Sequence, residues 1–122
     1  MAVFETHMKN YSIEWQGNIS IVRFASEFSV SDVREAVNEL AIKNPGLRLW
    51  DLSNGINLSR GELQDIAEYG KSRLTPAAKL AIVAPSDVAF GLSRVHQVYR
   101  EQAILLHRVF RTEREAIDWL EQ

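Results

Sequence analysis

The sequence predicts one α/β domain in the order ββαβαβαβα, with a mostly parallel five-stranded sheet, an antiparallel N-terminal edge and helices mainly on one face. Three observations carry this. Two short alternating segments flank a Gly-containing turn, which reads as a hairpin. Thereafter apolar strand runs alternate with stripes of 3.6-residue period, and that alternation implies right-handed crossovers and parallel strands. Finally, a parallel sheet covered on both faces should be apolar throughout. Here Ser12, Glu14 and Gln16, then Arg48 and Trp50, then Lys79 and Ala81 give several strands a mixed second face, so one face should be partly open.

The elements follow in chain order. Residues 1–10 form an N-terminal arm to a single domain spanning 1–122. Tyr11, Ile13 and Trp15 alternate with polar residues in a first strand. Gln16, Gly17 and Asn18 make a turn, and Ile19 to Phe24 is the second strand. Ser29 or Ser31 caps a helix whose inward stripe is Val33, Ala36, Val37, Leu40 and Ala41, stopped at Asn44, Pro45 and Gly46. Leu47 to Leu52 is the third strand. Ser59 and Glu62 form a capping box for a helix carrying Leu63, Ile66, Ala67 and Gly70. Lys79 to Ala84 is a nearly continuous apolar strand, and Pro85, Ser86 and Asp87 begin a helix with Val88, Leu92, Val95 and Tyr99 inward. Leu105 to Phe110 is the last strand. Thr112 and Glu115 repeat the capping-box spacing before a helix with Ala116, Ile117, Trp119 and Leu120.

Composition excludes several classes of function. The chain has 122 residues, 46% of them apolar and 25% charged, which suits an ordinary globular core. A net charge of −2 gives no footprint for nucleic acid. With no cysteine, disulfides, thiolate chemistry and Cys-type zinc sites are absent, in keeping with a reducing cytoplasm. No signal peptide is legible, and no apolar run approaches the roughly 20 residues that span a bilayer.

The motifs of the last third have a resemblance. Lys79 to Arg94, with its Ala84-Pro85-Ser86-Asp87 turn followed by Gly91 and Arg94, and Val109 to Leu120, with VFRT and the AIDWL ending, resemble bacterial SpoIIAA-like proteins related to the STAS domain. The element order is also similar to the STAS-like arrangement. The resemblance implies a non-enzymatic module. Its best understood members are anti-sigma-factor antagonists, which bind a protein kinase and are switched by phosphorylation of one serine. More distant relatives are lipid-transfer domains of the CRAL-TRIO type. On the antagonists' motif Ser59 matches the phosphoacceptor and Gly61 the glycine, while Leu58 stands where the motif has aspartate and Arg60 where it has a second hydroxyl. Asp51 to Ser53 matches the end of the preceding strand.

Physical reading of the same residues gives Ser59 two roles. It can cap its helix with Glu62, or carry a phosphate at a helix N-terminus beside Arg60, where dipole and free N–H groups favour negative charge. The carboxyl ends of the parallel strands should gather Asp51, Ser53 and Asn54 with Ser86, Asp87, Arg111 and Thr112, the edge at which open α/β sheets bind ligands. Phe90 falls off the main stripe near Arg94, and Trp50 lies beside Arg48. As exposed aromatics near arginine they suggest an interface, and a homodimer.

Catalytic and metal readings are weak. Ser53 or Ser59, Asp51 and His96 supply the residue types of a triad without a nucleophile elbow. His7, His96 and His107 lack the spacing of helical metal sites. No glycine-rich nucleotide fingerprint occurs. The sequence thus predicts no catalytic residue, cofactor or metal, and a regulatory module with a protein partner. A small apolar or lipid ligand, held in a cavity beneath Phe90 and Tyr99, is the alternative.

Overall fold

The computed structural model describes residues 10–43, 45–74, 79–100 and 106–122, with the backbone alone for 95–100. The order is β1 (Tyr11–Gln16), β2 (Ile19–Phe24), α1 (Val30–Lys43), β3 (Leu47–Asp51), α2 (Arg60–Arg73), β4 (Lys79–Val83), α3 (Asp87–Arg100), β5 (Leu106–Phe110) and α4 (Glu113–Leu120). The strands lie in sequence order across one five-stranded sheet. β1 and β2 are antiparallel, and all later neighbours are parallel. This is the predicted ββαβαβαβα order, consistent with a STAS-like arrangement.

That strand order decides where the helices go. Each crossover steps to the next strand in the same direction, so right-handedness puts α1, α2 and α3 on one face. α4 follows the last strand and packs on the other face against β3, β4 and β5. The core is therefore divided by the sheet. Val22, Phe24, Trp50, Leu80 and Ile82 point under the three helices, where they meet Val33, Val37, Leu40, Leu63 and Ile66. Ile19, Ile21, Leu49, Ala81 and Val83 meet Ala116, Trp119 and Leu120 of α4. β1 and the adjoining side of β2 lie beyond α4, and there Ser12, Glu14 and Gln16 are exposed.

Caps fix the helix starts. Ser29 caps α1, its N–H donating to Asp32 Oδ2 at 2.7 Å. At α2 the predicted capping box is complete. Glu62 N–H donates to Ser59 Oγ at 3.2 Å, and Ser59 N–H donates to Glu62 Oε1 at 2.9 Å. Thr112 accepts from Glu115 N–H at 3.2 Å. Lys79 holds the far end of α4, its Nζ donating to the Trp119 and Gln122 carbonyls at 2.7 and 3.2 Å.

Four expectations need correction. Gln16 pairs with Ile19, so the hairpin loop is Gly17-Asn18 alone, and Gly17 takes the left-handed φ of 63° that such a loop needs. Trp50 is not an exposed interface aromatic. It is 6% exposed, with its ring 5.7 Å from that of Phe24. Arg48 is likewise on the three-helix face and buried, Nε donating to the Pro45 carbonyl at 2.8 Å. Val88 was expected inward but is 71% exposed. α3 turns Ala89, Leu92 and Ser93 toward the sheet instead, because small residues let this helix approach closely. The side chains of Val95, His96 and Tyr99, together with His7, lie outside the described residues.

Candidate functional site

The carboxyl edge of the sheet holds the predicted polar residues, in separate groups. In the first, the parallel register sets Arg23 beside Asp51. Arg23 Nη1 reaches Asp51 Oδ2 at 2.8 Å and Glu113 Oε1 at 2.6 Å, while its Nε reaches Glu14 Oε2 at 2.9 Å. One guanidinium thus ties β1, β2, β3 and the first turn of α4 together. Its hydrogen bonds, that to Glu113 first, hold it well above its ordinary pKa despite the opposing effect of burial. The other oxygen of Asp51 accepts from the Ser53 N–H at 2.9 Å and from the Ser53 hydroxyl. Asp51 and Ser53 are thereby committed to each other and to Arg23. Asn54, in the same loop, donates from Nδ2 to the Phe24 carbonyl at 3.1 Å.

The second group surrounds the β4–α3 turn. Ser86 caps α3, accepting from Ala89 N–H at 3.0 Å. Arg111 Nη1 donates to the Pro85 carbonyl at 3.0 Å and to Asp87 Oδ1 at 2.8 Å. Its guanidinium lies over the half-buried Phe90 ring, 4.2 Å from the centroid, a cation–π contact. Phe90 is accordingly a platform for Arg111. Arg94 is exposed on the same helix.

Ser59 and Arg60 form a third, solvent-facing position at the start of α2. Among the described residues no side-chain hydrogen bond or ion pair joins them to Asp51, Ser53, Ser86 or Asp87. Leu58, the residue before this cap, is buried in the three-helix core. A carboxylate there would need a partner that Phe24, Leu63 and Ile66 do not offer.

Between sheet and helices lies a small apolar cavity of about 20 Å3, lined by residues that include Phe28, Leu52, Leu58 and Ser93. It is nearer Phe24 than Phe90, and its volume matches about one water. Among the described residues no group of three or more His, Asp or Glu could hold a metal ion, and no helix is long and apolar enough to cross a membrane.

Sequence reasoning found Asp51 but missed Arg23, Glu14 and Glu113. Their signal was the register, because Arg23 meets Asp51 only if β2 and β3 are parallel neighbours with Ile19 level with Leu47. No protein-family model matches the chain, and no curated protein matches its sequence.

Proposed function

We propose that the chain is a non-catalytic, cytoplasmic, regulatory protein-interaction module of the STAS-like kind, capable of self-association, with Ser59 as its switch. The observation that carries the reading is the exposed capping box at the start of α2, one loop after β3. A phosphate on Ser59 would accept the free N–H groups of the first turn and gain from the helix dipole. It would also repel the Glu62 carboxylate from the Ser59 N–H, so phosphorylation exchanges one cap for another and changes the surface charge by nearly two units. Arg60 stands next to it in solvent. The polar residues of the first two groups are tied across elements, whereas Ser59 bonds within its own helix turn and faces solvent. A small apolar or lipid ligand is the second reading; the apolar cavity between sheet and helices near Phe24 has room for about one water, and the space beneath Phe90 and Tyr99 involves a side chain outside the described residues.

The test separates charge from capping. Asn and Asp cap helices about as well as Ser, so Ser59→Asn and Ser59→Asp both preserve α2 while differing in charge. Phosphosite mapping of the protein from its native cells should find phosphate on Ser59. Tagged Ser59→Asn and Ser59→Asp chains should then retain one partner unequally. No phosphate on Ser59, together with identical partner profiles, refutes the reading.

A further inference from the structure

Beyond any switch at Ser59, the open edge of β1 has the form of a self-pairing surface. Among the described residues β1 is an outer strand of the sheet, with β2 on one side and no strand on the other. Ala25 N–H donates to the Asn10 carbonyl at 2.8 Å, so Asn10 and Ala25 are a hydrogen-bonded pair of the antiparallel ladder. Alternation then directs the backbone groups of Ser12, Glu14 and Gln16 toward β2, and those of Tyr11, Ile13 and Trp15 outward. Native edges are normally protected by Lys, Pro or a bulge. β1 contains neither residue, and its register with β2 runs without a break from Tyr11 to Gln16. Apolar surface flanks the same edge. Trp15 is 44% exposed and Ile42 84%, and together with Ile13 and Leu40 they line a groove of about 270 Å3 between β1 and α1.

We infer that β1 pairs antiparallel with β1 of a second copy about a twofold axis at Ile13, joining the two sheets into one. The register follows from side-chain faces and charge. Opposed residues must share a face, so the axis falls on a residue and not between two. An axis on Glu14 would set it against the partner's Glu14, and one on Ser12 would leave Trp15 unpaired. With the axis on Ile13, all outward backbone groups are used, in about six hydrogen bonds. Ser12 then faces the partner's Glu14, and Tyr11 faces the partner's Trp15.

Charge complementarity supports the same register. The carboxylates of Glu39, Glu35 and Asp32 act on the Tyr11 hydroxyl, and Tyr11 donates to Glu39. Lys43 Nζ sits 5.1 Å from the centre of the Trp15 ring. Setting Tyr11 opposite the partner's Trp15 therefore brings the partner's Lys43 toward Glu39 and Glu35, and symmetry repeats the contact.

Sedimentation of the full chain over about 1–200 μM tests this. The wild type should dimerise within that range. Trp15→Pro removes an outward N–H and leaves the ladder to β2 intact, because that N–H makes no bond to β2. It should weaken the dimer at least ~100-fold, the loss of about 2.7 kcal/mol of edge pairing. Lys43→Glu should weaken it ~10-fold, and adding Glu35→Lys should restore most of that loss. Circular dichroism of each variant checks that the monomer is folded. A wild type that stays monomeric overturns the inference. So does a dimer, or a complex with another protein only, that is indifferent to Trp15→Pro and Lys43→Glu.

Discussion

Replacing Ser93 by alanine should make the protein more stable, although it removes a polar group from a helix that begins at the candidate edge. Ser93 lies in α3, is 1% exposed, and its Oγ has no hydrogen-bond partner among the described residues. It borders the apolar cavity below Phe24, Trp50 and Ile82. That space could hold a water by volume. A buried water needs two to four polar partners, however, and the remaining lining is aliphatic and aromatic. The hydroxyl is therefore desolvated without compensation, at a cost of about 1–3 kcal/mol. Alanine also gains about 0.5 kcal/mol of helix propensity. Against this, deleting the oxygen enlarges the void by roughly 10 Å3, a loss of about 0.2 kcal/mol at 24 cal/mol per Å3. The net expectation is a gain of about 1.3–3.3 kcal/mol. For a chain of 122 residues, 1 kcal/mol corresponds to about 4 °C, so Tm should rise by about 5–13 °C. Scanning calorimetry at pH 7 reads the shift, and urea unfolding should show a higher midpoint at unchanged slope. An unchanged or lower Tm would refute the reasoning, since it would mean that Oγ has a partner, a bound water included.

Two further outcomes test the electrostatics. Arg23→Met should cost about 2 kcal/mol in urea unfolding, because Asp51 is left nearly buried among Glu14 and Glu113 with no cation, whereas Glu14→Gln at the exposed arm should cost under about 0.5 kcal/mol; equal losses would show that the cluster is only a surface pair. Burial first, then the hydrogen bond from its hydroxyl to Glu39 and the charges of Glu39, Glu35 and Asp32, raise the Tyr11 phenol above its ordinary pKa, so its contribution to stability is complete below about pH 10 and falls by up to about 1.4 kcal/mol per unit as the unfolded chain ionises above it. Tyr11→Phe should remove that share of the decline between pH 9 and 11.5, and parallel wild-type and variant curves would count against the assignment.

How legible these features were depended on how local they are. Period, turn residues and cap spacing lie within a few positions of one another, so every element and the Ser59–Glu62 box could be read from the chain. Which face a strand residue takes is not local. Alternation separates Arg48 and Trp50 from Leu47 and Leu49, but only the handedness and direction of the crossovers send Trp50 under three helices. α3 shows the same limit in another form. Its inward residues are Ala89, Leu92 and Ser93, whereas the large apolar side chain that helical spacing favours at its start is Val88, one position out of phase. The Arg23 cluster joins residues as far apart as Glu14 and Glu113, and nothing short of the sheet register brings them together.

The two proposals make demands on different parts of the fold, and the topology keeps them apart. β1 runs antiparallel to β2, so Tyr11 lies level with Phe24 at the carboxyl edge, the edge from which the chain leaves β3 toward Ser59. A twofold axis at Ile13 reverses strand direction between copies, so the carboxyl edges of the two subunits face opposite ways. The two Ser59 positions of a dimer would then lie at opposite ends of the joined sheet. One compact partner could not bridge them, and binding should run at one partner per chain. It follows that Trp15→Pro should leave the difference between Ser59→Asn and Ser59→Asp in place, and that both Ser59 variants should sediment as the wild type does. If dimerisation instead responded to the charge at Ser59, β1 could not be the surface that joins the copies, whatever the serine does.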